Sequence, residues 1–354
     1  MVKSSSCESK IRAPRVLKVG TDLLGMEAPI MALRCMDPPI TMEYVFSSDC
    51  MPAAKRLSEL MFKPKVFKDD VKDVSKNSYT DVYVWGAPCI AYSKQGKGQA
   101  VKGPTGRLLT YSMKYISKHR PRLTVMENVP GLALMRKHKP VFKGVLKAFK
   151  DMGYVVKWKL LNSKSFNTCQ SRQRIYLVAI RNDSVAEQFV FPSGSTTQSL
   201  TSMLEDHPND KAGRLPEKEA HKALAKACYR DAFKIKGTNP LQVPVAVDID
   251  CSPKFRSYGI DELRTLTAAR GSVGGPWIST KGRRLTIEEL LKCQGFNADA
   301  YKYREANVSK HEMGAMLGNT MTLPVVGAVL EKALVAAGLV ARDKPKPIFI
   351  SPLS

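Results

Sequence analysis

The sequence predicts an α/β protein built on a mostly parallel, doubly wound sheet with one antiparallel edge hairpin and a small second domain. Three observations carry this. Over roughly the first 180 residues short apolar runs alternate with longer helical patterns, the mark of β-α-β units. The last two of those runs are joined by NSKSFNTCQSRQR, which has no helical period. Beyond them the chain turns to Ser, Thr, Pro and Gly-rich loops before helical patterning returns.

The strands are expected at 16–19, 44–46, 82–85, 123–126, 154–161 and 175–180. The four-residue runs carry apolar residues on both faces, as buried parallel strands require. Between them, Pro52 opens a helix through Ala53, Ala54, Leu57 and Leu60. A second helix is expected over 108–119, and a third runs from Pro140 to Met152 and stops at Gly153. The runs 154–161 and 175–180 pair antiparallel, because a parallel crossover needs a helix that this connection lacks. Such an edge separates the class I methyltransferase version of the Rossmann-like sheet from the dinucleotide-binding version, while leaving function open.

The expected organisation is a flexible tail over 1–14, a first catalytic part over 15–181, a small basic recognition domain over 182–280, returning catalytic helices over 281–340, and a tail over 341–354. The middle segment holds one Lys-rich helical stretch, 217–236. RRLTIEELLKCQGF (283–296) and the stretch 323–339, which has apolar residues all round, supply the returning helices.

Charge narrows the partner. The chain has 354 residues, 56 Lys plus Arg against 32 Asp plus Glu, and a net charge of +24. That excess points to a polyanion. With no long apolar run and no lipidation signature, nucleic acid is expected rather than a membrane. The start, MVKSSSCESKIRAPR, has no apolar core of a signal peptide, so an intracellular protein is expected: nuclear if eukaryotic, cytoplasmic if bacterial. The eight cysteines form no C-x-x-C pair and have no His at zinc spacing, so neither a disulfide framework nor a bound metal is expected.

One cysteine stands apart. In DVYVWGAPCIAYS an apolar strand runs into Gly86-Ala87-Pro88-Cys89, and in open α/β sheets ligands bind beyond the carboxyl ends of strands. Pro88 limits the conformations in which that thiol can be presented. The next strand delivers Glu127-Asn128-Val129 to the same edge. A carboxylate confined beside a thiol has a raised pKa and can donate a proton near neutrality. In Gln170-Ser171-Arg172-Gln173-Arg174 the alternate residues Gln170, Arg172 and Arg174 share one face, suited to an anionic intermediate. Taken singly, each of these could be a core thiol, a surface acid or a solvated basic loop.

Taken together and in order, these residues strongly resemble the motifs of the DNA 5-methylcytosine methyltransferase family. Pro88-Cys89 is similar to its nucleophile motif, Glu127 to Val129 to its base-binding motif, and Gln170, Arg172 and Arg174 to its Q-x-R-x-R motif. Gly318-Asn319 with Val325 and Val326 is similar to its closing motif, preceded by RRLTIEELLKCQGF. The resemblance implies S-adenosyl-L-methionine as methyl donor, held by Leu23, Gly25, Met26, Asp49, Asp70, Val71, Pro88 and Asn319. Two departures stand out: Leu23-Leu24-Gly25-Met26-Glu27 lacks the aromatic and one glycine of the family's F-x-G-x-G, and Cys50 replaces a common aromatic.

The implied reaction is methylation of cytosine C5 in duplex DNA, with Cys89 as nucleophile, Glu127 on the base, and Arg174 supported by Arg172. Cytosine C5 is a weak nucleophile, and thiolate addition at C6 makes it enamine-like. The base must be flipped out of the stack. A Gly- and Lys-rich loop, Ile90 to Arg107, is the expected lid, with Ser93, Lys94, Lys97 and Lys102 on phosphate. Arg256 and Arg270 in the middle segment are expected to read bases, and the enzyme is expected to act on DNA as a monomer. A tRNA cytosine methyltransferase of the same fold and an impaired DNA-binding regulator are the alternatives.

Overall fold

The computed structural model describes residues 16–86, 104–181, 186–340 and 348–353. Along the first half of the chain lie β1 (Leu17–Asp22), α1 (Ala28–Arg34), β2 (Met36–Asp37), β3 (Met42–Ser48), α2 (Pro52–Met61), β4 (Val66–Lys68), β5 (Val82–Trp85), α3 (Pro104–His119), β6 (Leu123–Asn128), α4 (Pro130–Leu134), α5 (Lys139–Asp151), β7 (Tyr154–Asn162), β8 (Gln170–Ser171) and β9 (Gln173–Arg181). A seven-stranded sheet has the order β4-β3-β1-β5-β6-β9-β7. Its first five strands are parallel, and β9 runs antiparallel between β6 and the edge strand β7. The expected parallel sheet with one antiparallel edge is therefore the observed one, and β4 is a further strand that its three residues do not announce.

Burial explains why these segments are strands. All four residues of β5 and all six of β6 are buried, consistent with central strands covered by helices on both faces. On α5, Phe142, Val145 and Phe149 recur at helical spacing and are buried, with Val141 and Leu146 packed partly against the same cluster and the lysines facing outward. One apolar cluster on each side of the sheet results, the larger taking in α1 and the C-terminal helices.

The second half contributes α6 (Glu219–Lys236), β10 (Val245–Val247), β11 (Tyr258–Ile260), β12 (Leu263–Arg264), α7 (Ala268–Ser272), β13 (Trp277–Ile278), β14 (Arg283–Arg284), α8 (Ile287–Cys293), α9 (Lys310–Asn319), α10 (Leu323–Ala336) and β15 (Ile348–Phe349). A small antiparallel sheet, β11-β10-β13-β14, shares an apolar cluster with α6 around Leu224, Ala225, Cys228, Val245 and Val247. The first part of the middle segment behaves differently: Ala186, Phe189, Leu200 and Met203 belong to the main core. Helices α8 and α9 each open with a capping box, Thr286 with Glu289 and Ser309 with Glu312. Helix α10 is buried nearly all round, which accounts for its lack of a polar face.

Candidate active site

The site is assembled at the carboxyl ends of β1, β3, β5 and β6. The β1-to-α1 turn places three residues in the left-handed region: Leu23 at φ 61°, Gly25 at φ 62° and Glu27 at φ 54°. A side chain at Gly25 would meet nothing within 4 Å, so open space faces the turn there. Glu27 occupies the left-handed conformation that its missing glycine would adopt easily. What holds it is its carboxylate. Buried beneath the turn, it accepts hydrogen bonds from Thr21 Oγ1 (2.8 Å), Ser47 Oγ (2.5 Å) and Ser58 Oγ (3.3 Å). Burial pushes its pKa up, and those hydroxyls oppose the shift.

Asp49, past the end of β3, fixes the other side of the turn. Its two oxygens accept from Gly25 N (3.0 Å) and Met51 N (2.9 Å). Asp22, at the end of β1, is wholly buried and accepts from Ser48 Oγ and Tyr83 OH. Desolvation raises its pKa to about 8, with the nearby Glu27 and Asp49 charges adding to the rise. The turn thus rests on three carboxyls, two of which sequence reading overlooked.

Gly86 ends β5 directly against this turn. A Cβ there would stand 3.2 Å from Leu23 O and from Leu24 Cδ2, and 3.9 Å from Met321 Cε. The close approach brings the segment leading to Cys89, the first turn and the closing motif to one place. Cys89 and Pro88 lie outside the described residues, as do Ser93, Lys94, Lys97 and Lys102.

The neighbouring strand β6 ends with Glu127, paired across the sheet with Tyr176 of β9. Glu127 is buried, and burial raises its pKa against the opposing charges of Arg174 and Arg172. Arg174 Nε lies 3.3 Å from Glu127 Oε1. That oxygen nonetheless lacks a hydrogen bond among the described residues. A buried carboxylate oxygen left in this state suits a ligand that brings its own donor.

Arg172 differs from its expected role as direct support for Arg174. Its buried guanidinium donates to Leu266 O (2.8 Å), Gly318 O (3.1 Å) and Thr320 O (2.9 Å). It therefore clamps the middle segment to the closing motif beside the site. Gln170 joins the clamp by accepting from Leu266 N (3.0 Å), and Thr265 Oγ1 donates to Ser171 O (2.9 Å). β12 and β8 run parallel through this junction. Only the folded chain shows Leu266 and Thr265 as parts of the site wall.

The remaining expected residues divide. Leu23 is half-buried at the turn, and Asn319 is exposed at the end of α9, two residues before Met321. Met26 is fully buried, with its carbonyl accepting from Tyr301 OH (2.8 Å), so its side chain serves the core. Asp70 is exposed and caps a short 3₁₀ turn by accepting from Lys72 N (2.9 Å), a bond that also lowers its pKa; Val71 is packed in the core. In the middle segment, Arg270 is held by Asp248 (2.8 Å) and Asp250 O (3.0 Å), and Arg256 by Asp231 (3.0 Å). Arg270 thereby acts as a strut between β10 and α7, and the half-exposed Arg256 is the better placed of the two to meet a ligand. Among the described residues no group of three or more His, Cys, Asp or Glu could hold a metal ion, and no single helix is long and apolar enough to cross a membrane.

This geometry has relatives. The chain is 28% identical over 282 residues to the type II methyltransferase M.Bsp6I of a Bacillus species, which covers 76% of this chain and 84% of that protein. It is 28% identical to M.NgoBI of Neisseria gonorrhoeae over 80% of this chain and 84% of that protein. In fold it is similar to the Entamoeba histolytica methyltransferase EhMeth, with a TM-score of 0.65 at 14% identity over 91% of this chain and 99% of that one. Fission yeast Dnmt2 gives a TM-score of 0.60 at 15% identity with the same coverage. Residues 33–334 match the sequence profile described as C-5 cytosine-specific DNA methylase. That span takes in the second to last strands of the main sheet, Glu127, the Arg172 clamp and the closing motif, and the chain belongs to the C-5 cytosine-specific DNA methylase family.

Proposed function

We propose that this protein methylates C5 of a flipped-out cytosine in duplex DNA through a covalent adduct between Cys89 and C6. The observation that supports it most is the buried Glu127 oxygen beside Arg174, which among the described residues has no hydrogen-bond partner and lies one strand away from the segment that leads to Cys89. Cytosine offers what that oxygen lacks, an N–H of its exocyclic amine.

Membership of this family implies S-adenosyl-L-methionine as methyl donor and DNA as substrate. When bound, that cofactor supplies an electrophilic methyl group. The residues present fit it: the turn is open at Gly25, and the Asp49 carboxylate, already oriented by two backbone N–H groups, has lone pairs left for a ribose diol. Leu23, Gly25 and Asn319 would line it. Pro88 would join them, and Asp70 would contribute from the exposed end of its turn, while the buried Met26 and Val71 support the site from the core.

The chain's own residues then act as follows. The Cys89 thiolate adds to C6, and Glu127 hydrogen-bonds N3 and donates its proton there as negative charge develops. Burial, which raises its pKa against the opposing charges of Arg174 and Arg172, favours the protonated carboxyl that this donation needs. Arg174 holds the Glu127 carboxyl and meets the base carbonyl, while Arg172 positions both by locking the wall behind them. After methylation the C5 proton is removed and the thiolate leaves. The loop containing Ser93, Lys94, Lys97 and Lys102 closes on phosphate, and the small β10–β14 domain reads the bases, with Arg256 as its candidate contact and Arg270 bracing it.

Labelled S-adenosylmethionine presented with duplex DNA, single-stranded DNA or tRNA tests the substrate, and duplex DNA should acquire the label. Cys89→Ala should abolish transfer and the covalent adduct with 5-fluorocytosine DNA while duplex binding persists. Full turnover by that variant, or labelling of tRNA alone, refutes the proposal.

A further inference from the structure

We infer that the outer face of α5, together with the edge strand β7, is a second DNA surface that holds the sugar-phosphate backbone of the duplex flanking the target cytosine. The inference rests on the proposed DNA substrate, but on residues outside the site. Residues 131–159 contain eight Lys or Arg and a single acid, Asp151, a large share of the +24 net charge. On α5, Lys139, Lys143, Lys147 and Lys150 are spaced by four, four and three, so they form one stripe, and all are exposed. Lys147 pairs with Asp151 at 2.7 Å. Among the described residues Lys139, Lys143 and Lys150 have no acidic partner.

Folding gains little from this arrangement beyond the Lys147–Asp151 pair and Lys150 in the last turn. Like charges at i, i+4 destabilise a helix by roughly 0.2–0.5 kcal/mol per pair. Gly144, exposed in mid-helix between Lys143 and Lys147, costs about 1 kcal/mol relative to Ala. No packing demand explains it, since a Cβ there would meet nothing within 4 Å. A bare helix surface between lysines does, however, let a phosphate backbone approach closely.

The edge strand extends the surface. β7 extends it through Trp158, which is 39% exposed and stands edge-to-face with Phe142 of α5, centroids 5.1 Å apart, while its neighbours Lys157 and Lys159 point to the opposite face of the sheet, where Lys157 donates to Phe189 O. Lysines on an edge strand can serve to block strand pairing. That purpose does not extend to α5.

Position favours DNA flank over any other occupant. α5 starts after α4, which follows Glu127 and Asn128 directly, and then returns the chain to the foot of β7. The stripe therefore begins near the catalytic edge, at exposed Arg136 and Lys137, and leads away from it. From Lys139 to Lys150 it spans about 16 Å. A duplex presents about nine phosphate charges over that length.

The test compares two duplexes, of about 12 and about 36 base pairs, cut from a sequence that the unmodified protein methylates. In the triple variant Lys139→Glu, Lys143→Glu, Lys147→Glu, affinity for the long duplex should fall at least about tenfold and the salt slope by roughly 2 to 3. Binding and methylation of the short duplex should change less than about twofold. Trp158→Ala should weaken the long duplex alone by a few-fold. If circular dichroism shows the triple variant unfolded, the neutral Lys→Gln triple carries the same expectations at smaller size. Equal loss on both lengths, unchanged affinity for the long duplex, or loss of binding to phosphatidylserine vesicles in place of DNA overturns the inference. Failure of the unmodified protein to methylate any duplex overturns the proposed function first, and this surface with it.

Discussion

Replacing Glu27 by Gly would restore the residue that the family turn ordinarily has, and the structure predicts that it would do harm. The substitution relieves a left-handed residue, a gain of about 1 kcal/mol. Against that, Ser47 Oγ, buried and bonded to Glu27 at 2.5 Å, loses its acceptor. Thr21 retains Tyr44 OH at 2.5 Å, and the Ser58 bond at 3.3 Å is weak. An unsatisfied buried hydroxyl costs about 1–3 kcal/mol, and a vacated carboxylate site adds to it. The balance is about 2 kcal/mol of lost stability. Glu27→Gln keeps an acceptor and the side-chain volume, so it should cost less than about 1 kcal/mol. Urea unfolding measures both, and calorimetry with S-adenosylmethionine should show affinity falling roughly tenfold for Gly as the turn loosens. A Gly variant as stable as the parent, with unchanged cofactor affinity, would refute the assignment of the turn's rigidity to the buried carboxylate.

Two further outcomes follow from the same cluster. Asp49→Asn should weaken cofactor binding by about 2 kcal/mol, the scale of a charge-assisted diol contact, while stability without cofactor falls by less, about 1 kcal/mol, because one acceptor oxygen remains for the two backbone N–H groups of Gly25 and Met51; equal losses in both would mean that Asp49 only holds the turn. Asp22, with a folded-state pKa of about 8 against an unfolded value near 3.8, binds a proton in the folded protein that the unfolded chain releases. Its contribution is complete below about pH 4 and is lost as pH rises to about 8. Asp22→Asn should therefore flatten the decline of melting temperature between pH 6 and pH 8, and an unaltered decline would assign it to other groups.

The sequence alone determined the sheet and the order of its chemistry. Buried parallel strands leave unbroken apolar runs, so β5 and β6 are legible without knowing what covers them. Motifs at strand ends are legible for the same reason, since topology brings successive strand tips to one edge. That Glu127 lies beside Arg174 is seen only in the folded sheet, where Glu127 pairs with Tyr176, two residues from Arg174. Helix α9 escaped notice because Lys310–Asn319 buries Met313, Met316 and Leu317 amid glycines, a weak apolar period.

What only tertiary structure decided is where long-range partners come from. Glu27 looked like a defect in a glycine turn, because Ser47 and Ser58, which make it tolerable, lie 20 and 31 residues away. Arg172 looked like a pocket residue, yet its guanidinium reaches carbonyls 94, 146 and 148 residues further on. Arg270 looked free to read a base until Asp248 was found against it. A side chain's type is local and its periodicity nearly so, which is why elements and motifs can be read in order along a chain. Its hydrogen-bond partner is chosen by packing, and in this protein that choice separates the residues that meet the ligand from those that hold them in place.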